Sequence, residues 1–194
     1  MSDDPAKRPG GGASKPRTGR RAPEARADAP DPIAPDPVER DPIARDGVRE
    51  GFWRRFPLEQ LTPREWEALC DGCGKCCLRK IEFEDTGEVE YTNVACKLLD
   101  CQSCRCTDYA NRKKIVPDCV VITPETLERI LYWMPSTCAY RLLAEGRPLE
   151  PWHPLVSGRA ESVREAGISL AGHMVSEERV DDDDLEDYIV EGLQ

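Results

Sequence analysis

Ten cysteines constrain this 194-residue chain more than any other feature of its sequence. They all lie between residues 70 and 138, and eight of them form two tight groups: Cys70, Cys73, Cys76 and Cys77, then Cys96, Cys101, Cys104 and Cys106. Cys119 and Cys138 follow singly. The first residues are acidic and lack the apolar core of a secretory signal, so we expect a cytoplasmic location. In that reducing compartment, clustered thiols indicate metal binding or redox chemistry rather than disulfides.

Composition separates residues 1–50 from the rest of the chain. This segment holds nine of the 17 prolines and has neither a cysteine nor an aromatic residue. Proline removes backbone hydrogen-bond donors. The small apolar surface of this segment cannot offset the conformational entropy that would be lost on ordering. We therefore predict a disordered N-terminal arm over residues 1–50, a cysteine-rich domain over residues 51–178 and an acidic C-terminal tail over residues 179–194.

Charge and the length of the apolar runs argue against two classes of partner. Residues 51–194 contain 27 acidic and 17 basic residues, and such a surface repels a phosphate backbone, so nucleic-acid binding is not expected. No apolar run approaches the ~20 residues that cross a bilayer, so no membrane partner is expected either. Six acids stand within residues 181–187, which indicates either a solvated tail or the acidic start of a short last helix.

Short secondary-structure elements are predicted between these ends. Thr62-Pro63 and Thr123-Pro124 have the pattern that begins a helix, with a capping hydroxyl followed by proline. We predict helices from Pro63 to about Leu69, from Thr123 to Pro135, and over 138–145, where Gly146 ends the helix. Two strands, 78–83 and 88–94, flank a turn at 85–87 and predict a β-hairpin. The expected fold is a small, metal-stabilised α+β domain, because these elements bury only a small core, to which Trp133, Tyr140 and Trp152 contribute.

The spacing in the first cysteine group suits a metal site. Two-residue gaps let a tight turn bring two sulfurs to one ion, and Gly72 and Gly74 give the backbone that freedom. A helix over 70–77 would also place the four side chains on one face. Neighbouring side chains diverge, so Cys76 and Cys77 are not expected to bind one ion together. Either one of them is not a ligand, or they serve two metals or two irons of a cluster.

These residues also carry a resemblance. Leu69-Cys-Asp-Gly-Cys-Gly-Lys-Cys-Cys77 is similar to the defining motif of the CxxCxxCC family of zinc- or iron-chelating proteins, and within it to the YcgN-like bacterial group UPF0260. Further matching segments fall within residues 52–178 and are 91–96, 104–106, 116–119, 137–146 and 152–155. The resemblance implies a bacterial cytosolic metal protein and implies no reaction. Its pattern does not include Cys101, so the candidate metal ligands are Cys70, Cys73, Cys76, Cys77, Cys96, Cys104, Cys106, Cys119 and Cys138.

The sequence leaves the metal and the function class open. Four thiolates suit structural zinc, and Cys70, Cys73 and Cys76 also have the first three spacings of a bacterial ferredoxin, which favours an iron–sulfur cluster. The protein is then a metal-binding module, with a redox or metal-dependent enzyme and a thiol–disulfide protein as alternatives. His153 is a further possible ligand, although a packed structural role is expected for it and for His173. No protein partner is indicated.

Overall fold

The computed structural model describes residues 47–193. Seven α-helices of four to seven residues lie in this part of the chain: α1 (Phe52–Arg55), α2 (Pro63–Ala68), α3 (Arg112–Ile115), α4 (Pro124–Ile130), α5 (Ala139–Ala144), α6 (Pro154–Ser157) and α7 (Ser162–Glu165). Short 3-10 helices cover Leu58–Gln60, Lys75–Cys77, Leu131–Trp133, Glu177–Arg179 and Asp182–Tyr188. None of the described helices is long and apolar enough to cross a membrane.

Five short strands accompany these helices: β1 (Leu78–Glu82), β2 (Val89–Ala95), β3 (Leu99–Asp100), β4 (Arg105–Cys106) and β5 (Val175–Ser176). β1 and β2 form an antiparallel hairpin in which Leu78 is opposite Ala95. β5 joins the other edge of β2 in parallel, and β3 pairs with β4 in a separate ribbon. The predicted small α+β fold with a β-hairpin is therefore confirmed, and the strand ends differ from the prediction by one residue.

The predicted helix starts are also confirmed. At α2, the Thr62 hydroxyl accepts a hydrogen bond from the Glu65 N–H, and the Glu65 carboxylate accepts one from the Thr62 N–H. Thr123 caps α4 in the same way. This helix changes into a 3-10 turn at Leu131, so the predicted run to Pro135 is helical but not one regular α-helix. Gly146 follows α5 with a φ of 69°, the left-handed conformation in which glycine ends helices.

Two groups of buried side chains hold these elements together. The larger core contains Phe52, Trp66, Leu69, Val89, Leu127, Trp133, Met134, Ala139, Tyr140, Leu142 and Leu149. The smaller core contains Leu78, Tyr91, Ala95 and Leu99. The Tyr91 hydroxyl donates to the Trp133 carbonyl and so connects the two cores. Of the predicted core aromatics, Trp133 and Tyr140 are buried, whereas Trp152 is half-buried.

An ion pair between Arg49 and Glu65 lies at the start of the described chain. Both side chains are fully buried, with 2.6 Å between Arg49 Nη2 and Glu65 Oε2, and the guanidinium lies over the Phe56 ring. Most of the predicted disordered arm, residues 1–46, lies outside the described residues. Arg49, which lies within the predicted arm, forms this long-range ion pair with the folded part of the chain.

Acid is expected to weaken the folded state through Glu65. Burial opposes ionisation of this carboxyl, but hydrogen bonds from the Arg49 side chain and from the Thr62 and Arg49 backbone outweigh it and lower its pKa to about 2. The unfolded chain therefore binds a proton at higher pH than the folded chain, and the contribution of Glu65 to the free energy of unfolding is lost as pH falls from about 4.5 towards 2. The free energies of unfolding in urea of the wild type and Glu65→Gln should differ most above pH 5 and converge near pH 2. A difference in free energy that does not change with pH would contradict the lowered pKa of Glu65.

The segment predicted as an acidic tail contacts the hairpin. Ile189 forms a β-bridge with Thr92, and the Val190 N–H donates to the Tyr91 carbonyl at 2.8 Å. Arg79 pairs with Asp182 at 3.1 Å, at the start of the 3-10 helix Asp182–Tyr188. The structure thus agrees with the alternative of a short last helix with an acidic start rather than with a wholly solvated tail.

Candidate metal centre

The loop that carries the first four cysteines begins where α2 ends. Gly72 and Gly74 have φ values of 73° and 87°, so both adopt the left-handed conformation that glycine accommodates without a side-chain clash. The Asp71 carboxylate accepts a hydrogen bond from the Cys73 N–H at 3.0 Å and stabilises the turn between the first two thiols. The loop then ends in the 3-10 helix Lys75–Cys77. The tight-turn alternative, rather than a continuous helix over 70–77, is therefore the observed one.

Replacement of Gly74 by alanine is expected to destabilise this loop for two reasons. The left-handed conformation costs a residue with a side chain about 1–3 kcal/mol, and the added Cβ would lie 3.0 Å from Cys104 Sγ. Gly158→Ala is the matched control, because Gly158 has a φ of 71° but open space around it. Thermal unfolding should show the larger loss for Gly74→Ala. Equal losses would show that the contact with Cys104 is unimportant.

Nine of the ten cysteines line one cavity of about 540 Å³, which we call the cysteine cavity. The thiols on its wall are Cys70, Cys73, Cys76, Cys77, Cys96, Cys104, Cys106, Cys119 and Cys138, the same nine that the sequence puts forward as candidate ligands. Cys101 is not on the wall; it packs against the smaller core. All ten thiols are free.

Cys76 and Cys138 are neighbours in this cavity. Their interaction lowers the pKa of the Cys138 thiol and raises the pKa of the Cys76 thiol. The Arg141 and Tyr140 backbone N–H groups at the start of α5 lower the pKa of Cys138 further. Cys138 is thus the thiol in this pair that ionises first.

Burial raises the pKa of most of the other thiols. It raises the pKa of Cys70 and Cys77 to about 11, although both sulfurs are accessible through the cavity, and it also raises the pKa of Cys73, Cys96 and Cys104. These thiols are therefore protonated at neutral pH until a cation displaces the protons. Metal binding at such thiols releases protons, so their affinity for a metal should increase with pH.

Lys80 places a half-buried positive charge on the cavity wall. Its ammonium donates to the carbonyls of Lys75, Cys76 and Leu78, at 3.4, 3.1 and 2.9 Å. It also lies 4.8 Å from the ring centres of Tyr91 and Trp133. Burial lowers its pKa, whereas the charges of the nearby thiols act in the opposite direction. Sequence reasoning missed Lys80, because its position on the cavity wall depends on the hairpin register and no local motif indicates it.

Lys80→Met is expected to destabilise the protein by about 2–3 kcal/mol, because it removes charge-assisted hydrogen bonds and leaves buried carbonyls without this donor. The carbonyls belong to the turn that carries Cys76 and Cys77, so bound metal should also decrease. Lys114→Met is the control, since Lys114 is exposed and a surface change should stay within about 0.5 kcal/mol. Urea unfolding and metal content measure both effects. Equal stability of the two variants would contradict the role given to Lys80.

Cys104 occupies a different environment from the other wall thiols. It is buried, and its Sγ lies 3.7 Å from the Ser169 hydroxyl. Cys104 has a φ of 55°, which is an uncommon conformation for a residue with a side chain. The turn that includes Ser103 and Cys104 is held by the Asp100 carboxylate.

Of the two histidines, only His153 has the packed position expected for it. His153 is buried; its Nδ1 accepts a hydrogen bond from the Leu155 N–H at the start of α6, and its Nε2 lies 3.1 Å from the Leu69 carbonyl. Both ring nitrogens therefore have protein partners, and His153 is not on the wall of the cysteine cavity. His173 is exposed.

The wall thiols surround the cavity without converging on one point. Among residues 47–193, no three Cys, His, Asp or Glu side chains are arranged to hold a single metal ion. The donor set nevertheless fits a soft metal, because thiolates select zinc, copper(I) and iron–sulfur clusters. The arrangement can thus supply up to nine sulfur ligands around one space.

Comparison with known proteins agrees with this picture. A family model, CxxCxxCC, described as "Putative zinc- or iron-chelating domain", matches residues 69–139. A UPF0260 protein of Rhodobacter capsulatus is 60% identical over 146 residues, which are 75% of this chain and 97% of that protein. A UPF0260 protein of Parvibaculum lavamentivorans is 61% identical over 74% of this chain and 93% of its own. No solved structure matches the chain.

Fold and cavity together define a small cysteine-rich α+β domain that carries the CxxCxxCC motif. High identity over nearly the full length of the relatives is more specific than the motif alone. The chain belongs to the UPF0260 protein family, and the resemblance seen in the sequence is confirmed.

Proposed function

We propose that this protein binds metal in the cytoplasm through the thiols of the cysteine cavity, with an iron–sulfur cluster as the bound species. One observation carries the proposal: nine cysteines from five separate chain segments line one cavity. Isolated cysteines are commonly small buried hydrophobes, and chance packing would distribute them between the two cores. Metal sites instead bring thiolates from distant segments to one place.

Two features favour a cluster over a single zinc ion. Zinc holds its sulfur ligands about 2.3 Å from the metal, which requires closely spaced thiols, whereas no three described side chains have that arrangement. A cluster spreads its thiolates over several iron atoms, and a cavity of about 540 Å³ has room for it. Zinc is the second candidate, supported by the small cores, since structural zinc adds folding free energy where apolar burial is limited.

The chain's own residues suggest how a bound metal would be held. Lys80 offers positive charge to a group of thiolates, and the Tyr91 and Trp133 rings beside it exclude water. Tyr109 and Tyr132 are about half exposed at the cavity, so a partner could reach it from solvent. An iron–sulfur cluster supplies one-electron redox chemistry when bound. Electron transfer and metal handling are thus the functions that this site supports best.

Serine variants test the proposal. Cys73→Ser and Cys76→Ser should lower the metal content of anaerobically purified protein, because serine replaces a soft thiolate with a poor ligand for zinc or iron. Cys101→Ser is the matched control, since Cys101 packs against the smaller core and does not line the cavity. Its metal content should equal that of the wild type. Unchanged metal content in both test variants would contradict the proposal.

A further inference from the structure

Exposed apolar side chains gather at the mouth of the cysteine cavity. Within residues 47–193, the large hydrophobic side chains that are 40% to 53% exposed are Tyr109, Ile115, Val120 and Tyr132. Tyr109, Val120 and Tyr132 also line the cavity, and a side chain that is both exposed and on the wall lies at the mouth. Ile115 belongs to α3, whose Arg112 is on the same wall. Apolar side chains that are gathered in this way are typical of a surface that contacts another molecule.

One edge of the mouth is basic. α3 has three successive basic residues, Arg112, Lys113 and Lys114, which we call the basic edge. The Arg112 guanidinium lies 3.7 Å from the centre of the Tyr109 ring. The hydrogen bonds of the three side chains go to three backbone carbonyls and one amide oxygen, not to carboxylates. The nearby Glu67 carboxylate instead accepts from the Tyr109 hydroxyl at 2.7 Å, so the positive charges of the basic edge are available to a partner.

Another edge of the mouth is acidic. The end of the β1–β2 hairpin, residues 82–90, contains five acidic residues and no basic one, and we call it the acidic edge. Its exposed acids are Glu82, Glu84, Asp85 and Glu88. Glu82 lines the cavity, and its carboxylate accepts a hydrogen bond from the Tyr132 hydroxyl at 3.2 Å. The acidic edge therefore adjoins Tyr132, as the basic edge adjoins Tyr109.

We infer that two copies of this chain form a two-fold symmetric dimer through the mouths of their cysteine cavities. A two-fold interface requires a surface that is complementary to itself. The mouth meets this requirement, because the basic edge of one copy faces the acidic edge of the other and symmetry repeats the contact. The exposed tyrosines beside the two edges supply apolar contact, as aromatic residues do in protein interfaces. Charge favours a second copy over a purely acidic or purely basic partner, since one of the two edges would repel such a partner.

The dimer goes beyond the proposed function and does not require a metal. Each copy covers the cavity mouth of the other. Cys70 and Cys77, two exposed cysteines on the cavity wall, are then shielded from solvent. The partner that reaches the cavity is thus a second copy, and the thiols of the two copies face each other across the interface.

Sedimentation equilibrium of the full chain, purified anaerobically, tests for the dimer. At low ionic strength, the mean mass should increase with protein concentration from that of one chain towards that of two. Added salt should shift the equilibrium back to the monomer, because salt screens the attraction between exposed charges. Hydroxyl-radical footprinting should show that Tyr109 and Tyr132 become protected as the dimer forms.

Charge reversal tests how the edges pair. Lys113→Glu with Lys114→Glu places acid against acid in both contacts, and Glu84→Lys with Glu88→Lys places base against base. Each double variant alone should therefore have a dissociation constant at least about tenfold higher than the wild type. In an equimolar mixture of the two variants, both contacts again join opposite charges, so the mixture should dimerise as the wild type does.

Two further variants control this experiment. Arg164→Glu reverses an exposed basic residue on α7 that is not on the cavity wall, so it should dimerise as the wild type does. Lys113 donates to the carbonyls of Pro117 and Cys119 and so supports its own loop. If its replacement prevents folding, Lys114→Glu alone takes the place of the double variant, since Lys114 bonds only the Asn111 amide at 3.5 Å.

The outcomes separate the dimer from the proposed function. A folded wild type that stays monomeric at every concentration would overturn the dimer, as would a mixture of the charge-reversed variants that stays monomeric. A dimer that is insensitive to salt and to both reversals would place the interface elsewhere and would also overturn the inference. Metal analysis of the same samples tests the proposed function separately, because a metal-free dimer would contradict metal binding and leave the interface in place.

Discussion

Removal of the metal is expected to abolish the cooperative unfolding of residues 47–193. The helices have four to seven residues, too few to be stable alone, and residues 70–138 consist of short strands and helices joined by loops. Metal binding at structural thiolate sites contributes about 10–16 kcal/mol, which is comparable to the entire stability of a small domain, about 5–15 kcal/mol. Near-ultraviolet circular dichroism of the buried Trp66 and Trp133 should lose its fine structure after chelation at pH 7.

Reloading under anaerobic conditions is the control for this experiment. Restored metal and a restored thermal transition would show that chelation removed a structural component and did not damage the chain. A demetallated protein that keeps its dichroism and its thermal transition would contradict the metal-stabilised fold. Loss of colour with the fold retained would instead favour the enzyme alternative, in which the site is open and the fold does not depend on it.

Glu65→Gln is expected to destabilise the protein by about 3–5 kcal/mol. The substitution preserves shape and lets the side chain still accept from the Thr62 N–H, but it removes the carboxylate charge that pairs with the buried Arg49 guanidinium at 2.6 Å. Urea unfolding at pH 7 measures the loss. Glu145→Gln is the matched control, because Glu145 pairs with Arg141 and Arg147 at the surface, where such pairs contribute about 0.2–1 kcal/mol.

A double variant separates the charge from the shape of this pair. Arg49→Met combined with Glu65→Gln removes both charges, so it should be less destabilised than Glu65→Gln alone. Such non-additivity is the behaviour of residues in direct contact. If the two single losses simply add, or if Glu65→Gln costs less than 1 kcal/mol, the buried ion pair does not stabilise the fold as argued.

Local patterns in the sequence predicted much of the fold. The capping residues at Thr62 and Thr123 begin helices where expected, and the turn near Gly87 closes the expected hairpin. Each depends on residues only a few positions apart, so the sequence contains the whole cause. Gly72 and Gly74 likewise use the backbone freedom that the sequence gives them, since both adopt the left-handed conformation.

Long-range contacts could not be predicted in this way. Arg49 pairs with Glu65 across sixteen residues, and β5 pairs with β2 although Val175 is far from Val94 in sequence. The neighbours of Cys76 and Cys77 depend on the hairpin register and on the place of α5, which no local motif specifies. The spacing of the cysteines therefore indicated a metal site, whereas their common place on the wall of one cavity required the structure.

Metal and sulfide analysis of anaerobically purified protein, with its visible spectrum, tests the central claim most directly. We predict tightly bound iron with inorganic sulfide and thiolate-to-iron absorption. A colourless protein with stoichiometric zinc would contradict the iron–sulfur form but not metal binding by the thiols of the cysteine cavity. A folded, metal-free monomer would contradict the claim that the cysteine cavity binds metal.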